Sequence, residues 1–341
     1  MKKKILVTGG LGYIGSHTVV ELQEEGFEVL IVDDLSNSEQ NVLEKITSIT
    51  GVSPDFKNFD LKNQKQVKAL FDEFDIEGVI HFAASKAVGE SVEKPLMYYQ
   101  NNLISLMNVL EELRIREKDH FIFSSSCTVY GQADILPITE KAPFKIAESP
   151  YGKTKQMCED ILMDYTKAYD KNVIALRYFN PIGAHKTAKI GELPIGVPQN
   201  LIPYVTQTAI GKRNCLSIFG DDYETHDGTA VRDYIYVSDL AKAHVKSLKR
   251  LIASENEEKY EVFNLGTGTG STVLEVVHAF EEASKQKLNY KIAPRRAGDI
   301  EAAYADTQKA KNSLGWEANT PLTESLKTAW KWEKNLSKKT K

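Results

Sequence analysis

The stretch KILVTGGLGYIGSHTVVELQEEG, residues 4–26, decides the fold class. It begins as a short apolar run, continues with Gly9, Gly12 and Gly15, and ends in a helical pattern closed by Gly26. Glycines between a strand and a helix let backbone N–H groups approach a pyrophosphate, and the N-terminus of the helix then faces the anion. The first gap is one residue longer than in G-x-G-x-x-G, but the physical requirement is unchanged. This order of strand, glycines and helix predicts a dinucleotide site.

An acidic residue at the end of the second predicted strand indicates which dinucleotide binds. The run EVLIVDD contains Asp33, which follows Gly15 by 18 residues. A carboxylate at this place accepts hydrogen bonds from the ribose hydroxyls of adenosine and repels a 2′-phosphate. The residues after it include Asn37 but no arginine that would attract that phosphate. The sequence therefore predicts NAD rather than NADP; the alternative is that Asp33 only caps a turn.

The alternation of apolar runs and helical patterns continues to about residue 180. The strand-like runs are EVLIVDD, DFKNFDL, GVIHFAA, FIFSSSCTVYG and VIALRYFN, with helical patterns between them. Such alternation predicts an α/β protein whose doubly wound parallel sheet, a Rossmann fold, occupies residues 1–180 and binds NAD. Residues 181–341 begin rich in Pro and Gly and predict a smaller, mixed domain for the substrate. The later runs VRDYIYV and EVFNLGTG indicate that some segments return to the first domain.

Composition excludes several classes of protein. The 43 basic and 47 acidic residues give a net charge of −4, which argues against a nucleic-acid-binding surface. With 42% hydrophobic and 26% charged residues the chain is expected to be globular, and no apolar run is long enough to cross a membrane. Three widely spaced cysteines and seven scattered histidines predict neither disulfides nor a metal site. A cytoplasmic location follows as an expectation.

A tyrosine and a lysine in SPYGKTK predict the chemistry. Tyr151 and Lys155 are four residues apart, so they share one face of a helix. A lysine cation and a positively charged nicotinamide are expected to lower the pKa of the phenol, which is otherwise about 10. The preceding strand ends in Ser126, at the carboxyl edge of the sheet. We interpret Ser126 as orienting a substrate hydroxyl, Tyr151 as taking its proton, and Lys155 as tuning Tyr151 and holding the ribose. The alternative is a strand-end turn and a packed helical tyrosine.

A resemblance covers essentially the whole chain. In VTGGLGYIGSHT, IHFAASKAVGESVEKPLMYYQNN, FIFSSSCTVYG, SPYGKTK, LRYFNPIGAH, GTAVRDYIYV and APRRAGD the sequence resembles the extended short-chain dehydrogenase/reductase family, and within it the epimerases that invert C4 of UDP-hexoses. The resemblance implies an isomerase of galactose and nucleotide-sugar metabolism. It would interconvert UDP-galactose and UDP-glucose, and also UDP-GalNAc and UDP-GlcNAc, through a 4-keto intermediate with tightly bound, recycled NAD. It also implies a homodimer, built on the helices that contain NNLISLMNVLEELRI and KTKQMCEDILMDYTKAY.

The motifs and the resemblance together predict two sets of contacts. The cofactor set is Gly9, Gly12, Tyr13, Ile14, Gly15, Asp33, Asn37, Asp60, Leu61, Phe82, Ala83, Lys86, Asn101, Ser126, Tyr151, Lys155 and Phe179. The substrate set implied by the resemblance is Ser126, Tyr151, Asn180, Asn200, Leu201, Ser217, Ile218, Phe219, Arg232, Arg296, Asp299 and Ala303. In the second set the two arginines are expected to hold the diphosphate, because a guanidinium matches phosphate oxygens bidentately. Residues 217–219 are expected to flank the uracil.

The resemblance attaches a substrate preference to Ala303, seven residues after Arg296. In the family a tyrosine at this position accompanies strict use of glucose and galactose, whereas small residues accompany use of N-acetylated sugars. The methyl group of Ala303 leaves room for a 2-acetamido group, which predicts activity on both kinds of sugar. The alternative is that Tyr304 or another side chain fills the space.

Other functions compete with this interpretation. A nucleotide-sugar 4,6-dehydratase needs an acid pair after the strand-end serine, where this chain has Cys127 and Thr128. A UDP-uronate 4-epimerase or decarboxylase needs a cation for the sugar carboxylate, and the sequence leaves it open, as it does other NAD-dependent nucleotide-sugar enzymes of the family. A net dehydrogenase would exchange its cofactor at every turnover. A non-enzymatic NAD-binding protein would have no need of Ser126, Tyr151 and Lys155 together.

Overall fold

The computed structural model describes residues 4–296 and 299–339. The strands are β1 (Lys4–Thr8), β2 (Glu28–Asp33), β3 (Asp55–Asn58), β4 (Ile76–His81), β5 (His120–Ser126), β6 (Asn172–Tyr178), β7 (Asn180–Ile182), β8 (Leu216–Phe219), β9 (Val231–Arg232), β10 (Tyr234–Tyr236), β11 (Tyr260–Leu265), β12 (Ser271–Thr272), β13 (Tyr290–Ala293) and β14 (Ala302–Ala303). The helices are α1 (Tyr13–Glu24), α2 (Val42–Thr50), α3 (Gln64–Glu73), α4 (Val88–Glu93), α5 (Pro95–Ile115), α6 (Pro150–Tyr169), α7 (Leu201–Ala209), α8 (Val237–Ile252), α9 (Val273–Ser284), α10 (Gln308–Leu314) and α11 (Leu322–Lys339), with a short 3-10 helix at Cys127–Tyr130.

A seven-stranded sheet forms the centre of the molecule. Its strand order is β11–β6–β5–β4–β1–β2–β3, and every neighbouring pair is parallel. The order reverses between β1 and β4, which leaves a crevice at the carboxyl ends of these strands, where ligands bind in open α/β sheets. The predicted α/β fold with a doubly wound parallel sheet is confirmed.

Successive residues of the central strands serve opposite layers. Ile5 and Val7 belong to the apolar layer under α1 and α8, whereas Leu6 belongs to the layer under α3, α5 and α6. Because side chains alternate along a strand, a run of consecutive apolar residues fills both layers at once. This explains why the buried strands appear in the sequence as continuous apolar runs.

The chain after residue 180 contributes to two parts of the fold. The strand β11 returns to the central sheet as its edge, beside β6, and α8 and α10 pack on that sheet. The remainder forms the small sheets β10–β7, β12–β9–β14 and β13–β8, with a separate apolar core shared by α7, α9 and α11. The boundary at residue 180 stays a prediction. Within residues 4–296 and 299–339, no helix has the length and apolarity to cross a membrane.

Candidate active site

The turn after β1 is built for close backbone approach. Gly9 has a positive φ of 66° and donates its N–H to Val32 O at 2.8 Å. A Cβ on Gly15 would lie 2.3 Å from Gly9 O, so only glycine lets α1 start this close to the turn. The residue before α1 is Gly12, which provides no side-chain cap, so the N-terminal N–H groups of the helix are left to an anion. The turn therefore fits the pyrophosphate of a dinucleotide.

The carboxylate of Asp33 is fixed before any ligand binds. Its Oδ2 accepts the N–H of Leu11 at 3.0 Å, and its Oδ1 accepts Leu35 N at 3.0 Å and Ser38 Oγ at 2.7 Å. A carboxylate can accept about four hydrogen bonds, so Oδ2 can still accept one from a ribose hydroxyl. The sequence located Asp33, but it missed Leu11 and Ser38, which orient it. These contacts come from the glycine turn and from the loop that also contains Asn37.

The loop after β4 lies beside the glycine turn. Phe82 donates its N–H to Thr8 O at 3.1 Å, and Ala83 donates its N–H to Thr8 Oγ1 at 3.3 Å. A Cβ on Gly9 would meet Ala83 N at 2.9 Å. Two predicted cofactor residues are thus brought against the turn by the last residue of β1.

Three residues of the predicted cofactor set, Asp60, Leu61 and Asn101, lie where the ends of β3 and β4 meet α5. Asn101 donates from Nδ2 to Ser85 Oγ at 3.1 Å and accepts from Lys62 Nζ at 3.4 Å. The ammonium of Lys62 also lies 3.1 Å from Asp60 Oδ2, next to the buried Leu61. One chain of contacts therefore joins the ends of β3 and β4 at the carboxyl edge of the sheet.

Tyr151 and Lys155 meet the end of β5, as their spacing predicted. The helix α6 starts sharply because Ser149 Oγ accepts Gly152 N at 3.1 Å and a proline occupies its first turn. Lys155 Nζ donates to Ser124 O at 2.6 Å and lies 5.9 Å from the centroid of the Tyr151 ring. The Ser126 side chain lies close enough to the Tyr151 phenol to act on its pKa. The three predicted catalytic side chains thus form one cluster.

Burial controls the protonation of this cluster. Burial raises the pKa of Tyr151 to about 12, while the neighbouring Ser126 side chain acts in the opposite direction. Burial also lowers the pKa of Lys155 to about 8, and Cys158 and Glu159 oppose that shift. From the sequence we expected the lysine and the cofactor to lower the pKa of Tyr151. In the protein alone the loss of hydration outweighs that effect, because a buried phenolate has no water to stabilise it.

Cys127 lies just beyond the strand that carries Ser126. The strand β5 ends at Ser126, and Cys127 begins the 3-10 helix. Burial raises the pKa of its thiol to about 12, so the thiol stays protonated and is not a nucleophile. Within the described ranges 4–296 and 299–339, no three His, Cys, Asp or Glu side chains gather as metal ligands.

The predicted diphosphate and uracil residues form two groups. Arg232 Nη1 donates to Val231 O at 2.8 Å and lies 3.4 Å from Glu301 O, which directs its guanidinium. The guanidinium of Arg296 lies 4.7 Å from the centroid of the Phe219 ring and pairs with Asp299 at 2.9 Å. A guanidinium stacked on an aromatic ring suits a nucleoside diphosphate, whose phosphate oxygens can replace the Asp299 carboxylate as its partner.

Two residues of the predicted substrate set turn toward the C-terminal core. Ile218 is 1% exposed and belongs to the apolar cluster of α7, α9 and α11, against which Leu201 also packs. These residues can therefore offer a ligand mainly their backbone groups. The neighbouring Ser217 is half-buried. In contrast, Phe179 and Ala303 share one apolar cluster near the end of β6.

Glu192 joins the two predicted sets and was missed by the sequence argument. Its Oε1 accepts Asn200 Nδ2 at 2.6 Å and lies 3.7 Å from Lys86 Nζ. Its backbone carbonyl accepts Trp332 Nε1 at 2.8 Å, which ties the loop to α11. Asn180 lies on the other side of this region, where its N–H donates to Asp233 O at 2.9 Å. An acidic residue in a Gly- and Pro-rich loop gives no local sign of this role.

The fold and the site define an NAD-type short-chain dehydrogenase/reductase that modifies a nucleotide sugar. A family model described as GDP-mannose 4,6 dehydratase matches residues 6–329. UDP-glucose 4-epimerase of Bacillus subtilis is 50% identical over 330 residues, covering 96% of each chain. Within this family of nucleotide-sugar enzymes the chain belongs to the UDP-glucose 4-epimerases.

Solved structures show the same relationship. The chain superimposes with a TM-score of 0.95 on UDP-glucose-4-epimerase from Stenotrophomonas maltophila with bound NAD and formylated UDP-arabinopyranose, at 45% identity and 99% coverage of both chains. It is also similar to the UDP-Glc/GlcNAc 4-epimerase from Campylobacter jejuni, with a TM-score of 0.84, 36% identity and coverage of 98% of this chain and 99% of that one.

Proposed function

We propose that the chain interconverts UDP-galactose and UDP-glucose by reversible inversion at C4, with NAD held throughout the cycle. The observation that carries this proposal is the cluster of Ser126, Tyr151 and Lys155, which meets at the carboxyl end of β5 in a chain with full-length similarity to UDP-glucose 4-epimerases. The cluster explains how an alcohol loses and regains a proton. Both the hydride from C4 and the proton from O4 are returned to the sugar, so the reaction has no net oxidation.

The cofactor is NAD, and named residues fit it. The N-terminus of α1 behind Gly12 suits the pyrophosphate, and the carboxylate of Asp33 suits the adenosine ribose. Lys155 is placed to contact the nicotinamide ribose as well as Tyr151. When bound, NAD supplies a reversible acceptor for a hydride from the sugar.

The proton at O4 is handled by the protein. Ser126 orients the O4 hydroxyl of the sugar, and Tyr151 removes its proton. Lys155, cationic below a pH of about 8, stabilises the phenolate form of Tyr151 that accepts this proton. Once the 4-keto sugar has turned, return of the hydride to the opposite face of C4 would invert that centre, and Tyr151 returns the proton to O4.

The sugar can turn because the protein is expected to hold the other end of the substrate. Arg232 and Arg296 bind the diphosphate, and Phe219 with the backbone of residues 217–218 flanks the uracil. These groups are on β8, β9 and the segment after β13, on elements other than the β5 and α6 that carry the cluster. Binding energy spent on the UDP end therefore leaves the hexose free to present either face.

N-acetylated sugars are part of the proposal. Ala303 is buried beside Phe179 and pairs in register with Arg232, so its methyl group borders the proposed sugar pocket. Tyr304 does not fill that space, because its ring lies against Gly270, where a Cβ would be 3.3 Å from Tyr304 Cδ1. Consecutive residues of a strand point to opposite faces. The structural similarity to a UDP-Glc/GlcNAc 4-epimerase supports the same breadth.

We also propose a cytoplasmic homodimer. Helices α5 and α6 present Met107 (45% exposed) and Tyr169 (48% exposed) around a shallow groove lined by Ile161. Apolar side chains on two neighbouring helices suit a helical bundle across a two-fold axis. The three free cysteines suit a reducing compartment.

The direct test is an incubation of purified protein with equimolar UDP-galactose and UDP-GalNAc, without added NAD. We expect both UDP-glucose and UDP-GlcNAc by chromatography, and NAD in the supernatant after denaturation. UDP-GlcNAc alone would make this an amino-sugar epimerase. No product, even with NAD supplied, would overturn the proposal and favour a uronate epimerase or a dehydratase. Consumption of soluble NAD in step with product would indicate a net dehydrogenase.

A further inference from the structure

We propose that Glu159 is a positioning residue, which sets the register of α6 against β5 and so places Lys155 and Tyr151 for the reaction. It lies four residues after Lys155 and eight after Tyr151, on the same face of α6. Its side chain is fully buried, with 0% exposure. The inference rests on the proposed function only for its catalytic readout.

The carboxylate of Glu159 connects the helix to three adjacent strands. It accepts a hydrogen bond from Ser125 Oγ on β5. It also accepts Arg177 Nε at 2.9 Å and Nη2 at 2.5 Å from β6, and Tyr260 OH at 2.7 Å from β11. All the contacts come from the sheet that carries the active site. A carboxylate held from three strands has a single position.

Arg177 is itself immobilised. Its Nη1 donates to Tyr130 OH at 2.9 Å and to Glu140 O at 3.3 Å. Its guanidinium lies 4.9 Å from the Tyr130 ring centroid and 4.8 Å from that of Phe144. The ion pair is therefore part of a fixed set of side-chain contacts. Through it the position of β6 determines the position of α6.

The register matters because consecutive strand residues meet consecutive turns of the helix. Lys155 Nζ binds Ser124 O, Glu159 binds Ser125 Oγ, and Ser126 is the predicted catalytic serine. Two contacts one helical turn apart fix both the rotation and the translation of α6. A buried ion pair gains little stability over apolar side chains of the same volume, so a single position of the helix is what it provides here.

Glu159 also adds a negative charge near Lys155. The groups that face Lys155 are Tyr151, Cys158 and Glu159 on its own helix and His81 on β4, and Glu159 helps to keep the ammonium charged. The groups around Glu159 are Ser125, Arg177 and Tyr260, with Asp160 near Tyr260. Removing the carboxylate would leave the Arg177 cation uncompensated. This lowers the pKa of Lys155 further, since like charges disfavour the ammonium.

The chain contains a matched control. Arg250 on α8 and Glu261 on β11 form another buried helix-to-strand ion pair, at 2.8 Å with side-chain exposures of 9% and 5%. That pair is not on α6. Glu261→Gln therefore reproduces the cost of breaking a buried pair without changing the surroundings of Lys155.

The experiment compares Glu159→Gln with Glu261→Gln, with kcat and KM for UDP-galactose measured between pH 6 and 9. For Glu159→Gln we expect kcat to fall roughly tenfold to a hundredfold at a nearly unchanged KM, because small displacements of catalytic groups have effects of this size. We also expect its loss of activity at alkaline pH to begin at a lower pH. Glu261→Gln should retain the kcat and the pH profile of the parent. Equal kcat values and profiles in both variants would overturn the inference.

Two further variants separate position from charge. Glu159→Asp retains the charge but is one methylene shorter, so we expect the parent pH profile with a lowered kcat. If Glu159→Gln fails to fold, the double variant Glu159→Gln/Arg177→Met removes both charges, and a parental kcat in it would overturn the inference.

Hydrogen exchange along α6 tests the position of the helix without substrate. We expect faster exchange of the amides of residues 151–159 in Glu159→Gln than in Glu261→Gln. If the parent protein is inactive but this difference appears, the proposed function fails and the positioning role stands. If the parent is active and the exchange is equal in both variants, the positioning role fails alone.

Discussion

Ala303 and Arg232 face each other in register on the neighbouring parallel strands β14 and β9. Side chains at facing positions of parallel strands lie on the same side of the sheet, so the group that is expected to bind the diphosphate and the wall of the proposed sugar pocket are adjacent. Ala303 is 4% exposed and packs in one cluster with Phe179. We therefore expect the size of this one side chain to affect the position of the hexose.

We expect Ala303→Tyr to lower kcat/KM for UDP-GlcNAc by about tenfold or more, because the added ring occupies the space of the acetamido group. The value for UDP-glucose should change little. The conservative variant Ala303→Ser should retain both activities. Progress curves with each substrate, followed by chromatography, measure the ratio. Epimerisation of UDP-GlcNAc at the parent rate by Ala303→Tyr would disprove the role of this residue in selectivity.

Removing one hydroxyl from α6 should abolish proton transfer. We expect Tyr151→Phe to lower kcat by about a hundredfold to ten-thousandfold while the protein still carries NAD. Tyr165→Phe is the control on the same helix, since that hydroxyl only donates to Leu110 O at 3.2 Å. Single-turnover assays and NAD release on denaturation measure the two effects. A Tyr151→Phe variant with kcat above a tenth of the parent value would refute proton transfer by this residue.

Glu192 should influence substrate binding more than turnover. Glu192→Ala removes the partner of Asn200 and of Lys86. Because these contacts order the loop that contains Glu192, the loop of the variant must become ordered when UDP-sugar binds. We expect KM for UDP-galactose to rise about fivefold, with kcat nearly unchanged, because a typical hydrogen bond contributes a net free energy of about 1 kcal/mol. Glu192→Gln keeps an acceptor for Asn200 and should lie closer to the parent. A lower KM in Glu192→Ala would instead mean that Glu192 competes with the substrate for Asn200.

Three buried histidines predict acid sensitivity. Burial lowers the pKa of His17 and His81 to about 3 and that of His244 to about 4, so all three stay neutral in the folded protein. The unfolded chain binds protons on these residues below a pH of about 6.5, so stability falls as the pH drops through that value toward 4. Urea unfolding between pH 7.5 and 5 should show this fall. In His244→Gln the slope of the unfolding free energy against pH, near pH 5, should correspond to about one proton fewer taken up on unfolding. An unchanged slope would contradict the assignment.

The dimer proposal depends on α5 and α6. We expect a mass of twice 38.2 kDa by sedimentation equilibrium, and the mass of one chain for Met107→Glu, because a carboxylate in an apolar interface is left without solvent. Val52→Glu adds the same charge at an exposed position after α2 and should stay dimeric. A single-chain mass for the parent protein would exclude the homodimer.

Local pattern was sufficient for much of the fold. The strand, glycine turn and helix of residues 4–26 could be predicted because each depends on neighbours in sequence, and the i, i+4 spacing of Tyr151 and Lys155 similarly placed them on one face. The orientation of Asp33 could not be predicted, since its partners come from the backbone of two loops.

Long-range contacts account for what the sequence did not reveal. In the sequence Glu159 is an ordinary acidic residue of an amphipathic helix. Its partners Arg177 and Tyr260 come from two later strands. The rise in the pKa of Tyr151 in the protein alone depends on burial, to which distant segments contribute, so the local pattern could not reveal it. Glu192 depends likewise on Trp332 of α11. Only the assembled fold brings these groups together.

The return of β11 to the central sheet has a consequence for synthesis on the ribosome. β6 is nearly all buried, and one of its edges is covered only by β11, which follows roughly 80 residues later. At about 5–20 residues per second, that edge stays unpaired for several seconds after β6 has been made. An apolar strand edge in this state can pair with another nascent chain. The second half of the protein therefore covers this strand edge of the first half only late in synthesis. A fragment that stops near residue 180 is expected to aggregate rather than to bind NAD.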